Sequence, residues 1–124
     1  MKQETMKAKG DCFEVAAKAM IDAPAFAALP IDYKLVHAIV SGQDELEGVR
    51  FAHAFNLLGD DTVIDNSNSQ AIVLRRRDYF ERGGIITKQG MYAEYSREEA
   101  MHLLCQHGHW GPWDLAEELQ DAVG

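Results

Sequence analysis

Residues 48–65 read GVRFAHAFNLLGDDTVID, and this stretch decides the fold class. Val49, Phe51, His53, Phe55 and Leu57 recur at every second position, the period that puts alternate side chains on one face of a β-strand. Gly59-Asp60-Asp61 supplies turn residues, and Thr62 to Asp65 (TVID) returns as the partner strand before the cluster Asn66-Ser67-Asn68-Ser69 ends it. A turn centred near residue 59 or 60 brings His53 and Asp65 roughly opposite each other. A slip of one residue in register would turn one of them to the other face.

Working outward, Tyr33 to Val40 (YKLVHAIV) is a second β-rich segment, ended by Ser41-Gly42. Downstream, Ala71 to Leu74 and Gly90 to Tyr95 are expected as short strands, with a helical turn at Asp78 to Arg82 stopped by Gly83-Gly84. Helices flank this region. Phe13, Ala16, Ala17, Met20 and Ile21 have the spacing of a buried helical face. Asp11 is the expected cap of that helix and places Cys12 at its first position. Ala23 to Pro30, with a proline at each end, reads as a turn and loop. Ser96 to Glu99 (SREE) is a capping box ahead of Ala100, Met101, Leu103 and Leu104, with Gly108 as the stop. The tail turns at Gly111-Pro112 and is expected to finish in a short acidic helix from about Trp113. The elements are segregated, without βαβ alternation, so the expected class is α+β: an N-terminal helix packed on a small antiparallel β-sheet, with C-terminal helices, in one domain over residues 1–124.

Composition narrows the function classes. The 124 residues carry 12 Lys and Arg against 20 Asp and Glu, a net charge of −8, which argues against nucleic acid and anionic membranes as partners. The basic run Arg75-Arg76-Arg77 is read as a solvated strand end. No apolar run reaches the length of a signal core or a membrane span, so a cytoplasmic location is expected. Two cysteines, Cys12 and Cys105, are too few for a disulfide framework, and each has to be explained as a thiol.

Cys12, His53 and Asp65 form the constellation with the most chemistry. A thiol attacks a carbonyl as its thiolate, which the positive end of a helix and a neighbouring imidazolium both stabilise. A carboxylate on the adjacent strand can hold one imidazole nitrogen and leave the other facing the sulfur.

Gly10-Asp11-Cys12-Phe13 opening a helix, His53-Ala54-Phe55 on a strand and Val63-Ile64-Asp65 on the next resemble the core of the papain-like cysteine enzymes. The transglutaminase-like and NlpC-type members are nearest in pattern, and the resemblance covers about residues 10–66. It implies a papain-like domain that acts on a peptide or protein substrate bearing an amide, through a thioester, by hydrolysis or by acyl transfer. Cys12 would be the nucleophile, His53 the general base and acid, and Asp65 the orienting residue, with no cofactor. The backbone amide of Cys12 would serve the oxyanion. Six positions before Cys12, where papain-like enzymes carry an oxyanion-hole Gln, stands Met6; Gln3 lies at another spacing. Phe55 replaces a Trp common in the transglutaminase-like motif. The competing reading is a small non-catalytic binding or regulatory protein that keeps the fold and uses its acidic surface and the Trp110/Trp113 turn.

Other polar clusters are weighed against simpler roles. His102, Cys105, His107 and His109 are zinc-type ligands, but their spacing matches no closed site, and helix-end histidines are the expected reading. His37 is expected in the core or at a sheet edge. Trp110 and Trp113 either wall a groove or lid a small core, the second being the commoner use of such a pair. Tyr79, Phe80, Tyr92 and Tyr95 are read as packing, and Asp60-Asp61 as a solvated turn.

Overall fold

The structure, a computed structural model, describes residues 12–22, 33–42, 48–66 and 72–116. Helix α1 (residues 12–22) buries Cys12, Phe13, Ala16, Ala17 and Met20 along one face. Strands β1 (Tyr33–Ser41) and β2 (Arg50–Leu58) follow, then β3 (Thr62–Asp65) and β4 (Ile72–Arg75). Helix α2 (Arg76–Gly83) leads to β5 (Tyr92–Tyr95) and α3 (Arg97–His107). The expected cap Asp11, the oxyanion candidates Met6 and Gln3, and the loop Ala23 to Pro30 lie outside the described residues.

The five strands form one sheet in the order β4-β3-β2-β1-β5, antiparallel at every pairing. β1 to β4 are a meander, whereas β5 crosses to the free edge of β1. The longest pairing sets the faces: Tyr33 stands opposite Leu58 and Ser41 opposite Arg50 without interruption, so cross-strand partners share a face. On one face Leu35 and Ala54 pack with α1, Tyr95 and Ala100 of α3. On the other, Val36, Ala38, Val40, Phe55, Leu57 and Val63 pack with Tyr79 and Phe80 of α2. The sheet therefore lies between α1 and α3 on one side and α2 on the other. Both faces of β1 are covered, which is why its sequence is an almost unbroken apolar run.

Helix ends follow local chemistry. The Glu99 amide donates to the Ser96 hydroxyl and the Ser96 amide to the Glu99 carboxylate, the reciprocal pair that starts α3. Gly108, at φ 75°, ends it in the left-handed conformation. The expected helix from Trp113 is not formed over residues 113–116, and residues 117–124 lie outside the described set. Tertiary contacts take that segment instead. The Trp113 indole N–H donates to the His109 carbonyl, Tyr95 donates to the Asp114 carboxylate, and the Ala116 amide donates to Gly90 beside β5.

Candidate active site

The β2–β3 hairpin brings His53 and Asp65 together. Asn56 pairs with Ile64 and Leu57 with Val63, a register that continues to Phe55 opposite Asp65. His53, two residues further along β2, is thus on the same face as Asp65 but diagonal to it, rather than directly across. The long imidazole spans the offset: its Nε2–H donates to Asp65 Oδ2 at 2.9 Å. Phe55 fills the place directly opposite, and its ring stacks on His53 at 6.4 Å between centroids, 30° apart in plane. The pair is shielded, with side-chain exposures of 15% for His53 and 8% for Asp65.

Cys12 reaches this pair from the other side of the sheet. It belongs to the core cluster under α1, on the face opposite to that of His53. Nonetheless Cys12 is close enough to the imidazole to raise its proton affinity. Among the described residues β3 pairs β2 only at Asn56 and Leu57. Asn56 secures the approach of α1: its buried amide donates to the carbonyl of Ala16 at 3.0 Å and to that of Lys34 at 3.3 Å. One side chain thereby pins the second turn of α1 to the sheet.

Electrostatics favour a charged imidazole. Burial disfavours the charge, but the hydrogen bonds to Asp65 and Cys12 and the negative charges available on both outweigh it and push His53 up to about 10. Tyr79, on α2, donates its hydroxyl to the same Oδ2 that His53 contacts, at 2.5 Å, while its ring packs against Phe55 at 4.7 Å. Burial and the Asp65 and Cys12 charges raise the phenol well above its ordinary value, so it stays a donor.

Cys12, His53 and Asp65, separated by 41 and 12 positions in the chain, are thus brought together, with His53 hydrogen-bonded to Asp65 and Cys12 acting on the proton affinity of the imidazole. Two further members were not singled out from sequence as site residues. Tyr79 gave no local signal, because nothing in Asp78 to Arg82 indicates which strand the helix will cover. Asn56 did leave one: it is a polar residue inside the apolar run Phe55-Asn56-Leu57-Leu58, and a strand buried on both faces requires a partner for it.

The remaining candidates have ordinary roles. His37 is fully buried, with its ring 4.8 Å from Phe13, 5.0 Å from Tyr95 and 5.0 Å from Trp113. Neither ring nitrogen has a hydrogen-bond partner among the described residues, and burial lowers its pKa to about 3. Gly111 closes the cage: a Cβ there would lie 2.5 Å from the imidazole Cε1. Trp113 therefore lids a core. Among the described residues no three His, Cys, Asp or Glu are grouped to hold a metal. His109 Nδ1 accepts from the Gly111 amide, and Cys105 is exposed on α3. Arg76 pairs with Asp61 at 3.9 Å and lies over Phe80, while Asp60 accepts from the Thr62 amide.

Among the described residues no helix is long and apolar enough to cross a membrane. Compared with known proteins, the chain matches no family model, and no curated protein or solved structure is significantly similar to it.

Proposed function

We propose that the protein is a cysteine-dependent enzyme of papain-like type that attacks an amide or related acyl group through a thioester. The observation that carries this reading is the His53–Asp65 hydrogen bond at 2.9 Å with Cys12, on α1, close enough to act on the same imidazole. In the first step Cys12 Sγ, as thiolate, bonds to the carbonyl carbon, and the tetrahedral oxyanion meets the Cys12 backbone amide at the helix start. The C–N bond then breaks as His53 gives its proton to the leaving amine. Water, or a second amine, next attacks the thioester while His53 takes its proton. The C–S bond breaks and Cys12 returns as thiolate beside the imidazolium. Asp65 fixes the ring orientation and stabilises its charge.

The test is site-resolved alkylation. Iodoacetamide labelling of Cys12 and Cys105, read by mass spectrometry from about pH 5 to 9, is expected to show Cys12 reacting already on the acid side of that range in the wild type. His53→Ala should abolish this while leaving Cys105 unchanged. A Cys12 that ignores His53 sinks the reading.

The competing reading, a non-catalytic binding protein, is favoured by one observation: Cys12 is only 4% exposed. It predicts that Cys12→Ser leaves the partner bound, whereas the enzyme loses all turnover.

A further inference from the structure

The site contains a donor that a Cys-His-Asp line does not require. Asp65 Oδ2 accepts two hydrogen bonds, from His53 Nε2 at 2.9 Å and from the Tyr79 hydroxyl at 2.5 Å. Tyr79 comes from α2, inserted between β4 and β5 on the same face of the sheet as His53. Its ring has its own anchorage, tilted against Phe55, the residue that also stacks on His53. A packing tyrosine needs only its ring. This one aims its hydroxyl at the carboxylate oxygen that already serves the imidazole.

We infer that Tyr79 is a positioning residue that sets the proton affinity of His53 by sharing Asp65 Oδ2 with it. The inference rests on the proposed role of the Cys12–His53 pair. Two donors on one oxygen divide its charge, so each is held less strongly than it would be alone. An unshared Asp65 would bind the imidazolium more tightly and make His53 a poorer acid toward a leaving amine. By taking part of the charge, the phenol keeps the carboxylate ionised and fixed in place while leaving the imidazolium able to release its proton. The groups that bear on His53 are Asp65 from β3 and Cys12 from α1, and the same two bear on Tyr79. Tyr79 is therefore electrically part of the line, although it touches neither sulfur nor imidazole in the contacts above.

The experiment is Tyr79→Phe, which keeps the ring on Phe55 and removes only the hydroxyl. The His53 imidazole nitrogens are followed by NMR across pH, in parallel with the pH profile of Cys12 alkylation. The expected result is an upward shift of the His53 midpoint by about half a unit or more, with the alkaline limb of the alkylation profile moving in the same direction. An unchanged or lowered midpoint overturns the inference, because a hydroxyl that only packs or only ties α2 to β3 would cost stability without changing the His53 titration. Asp65→Asn with and without Tyr79→Phe provides the control: the shift must vanish once the shared oxygen carries no charge, and its persistence overturns the inference too. If the midpoint shifts as expected but wild-type Cys12 shows no His53-dependent reactivity, the enzymatic reading fails and the coupling of Tyr79 to His53 stands.

Discussion

Two histidines occupy neighbouring strands, His37 on β1 and His53 on β2, one step apart in register, with His37 opposite Ala54 and Ala38 opposite His53. They lie on opposite faces and have opposite chemistry. His37 sits among Phe13, Tyr95 and Trp113 without a polar partner, and burial alone drives it down to about 3. His53 is also shielded, yet the carboxylate of Asp65 and the thiol of Cys12 carry it up to about 10. The difference teaches that partners, and not depth, decide what a buried imidazole does. The surroundings of His53 solvate a charge with protein groups, and those of His37 offer only rings.

The largest test of that contrast is functional. His53→Ala is expected to lower turnover, and the reactivity of Cys12 near neutral pH, by about 10²-fold or more, measured by alkylation kinetics. His37→Leu should leave both unchanged, and a comparable loss in His37→Leu would break the contrast.

A second test uses pH. In the folded chain His37 is depressed from 6.5 to about 3, so between those values the unfolded state binds the extra proton and stability falls as pH falls. His53 is raised from 6.5 to about 10, so its contribution is complete below 6.5 and is lost as pH rises toward 10. Each limb has a slope approaching about 1.4 kcal/mol per pH unit. Urea titrations at several pH values should show His37→Leu flattening the acid limb and His53→Ala the alkaline one. If both substitutions act on the same limb, the assignment is wrong.

Asn56 sharpens the comparison, being a polar group deep in the sheet that has found partners without charge. Its loss in Asn56→Ala leaves the Ala16 and Lys34 carbonyls short of a donor, and should cost about 1–3 kcal/mol in denaturant unfolding. Because Asn56 pins α1, Cys12 alkylation should also slow in this variant. The smallest effect is expected at His37 itself. His37→Leu removes two unpaired ring nitrogens and should raise stability at pH 7 by about 1 kcal/mol. A loss of that size would mean the imidazole has a partner that the contacts among the described residues do not reveal.

Much of the fold was legible along the chain. The alternation through Val49 to Leu57 marked β2, the Ser96 capping box marked the start of α3, and Gly108 marked its end, because each is a local pattern with a local cause. The path of residues 113–116 was not legible, since Tyr95 and the His109 carbonyl hold Asp114 and Trp113. The candidate site divides in the same way. His53 and Asp65 could be paired from a hairpin and a parity, though their diagonal offset depended on the register of Asn56 with Ile64.

By itself, the sequence determined the α+β class, the strand carrying His53, its shared face with Asp65 and the place of Cys12 on a helix, all consequences of periods and turns spanning few residues. Only the tertiary structure decided that β5 crosses to the edge of β1, that α2 covers the face bearing His53, that Cys12 meets an imidazole belonging to the opposite face, and that Tyr79 shares the oxygen of Asp65. Those outcomes depend on how separate elements pack against two faces of one sheet. No local periodicity records that packing, because its energy comes from surfaces that are distant in the chain until it folds.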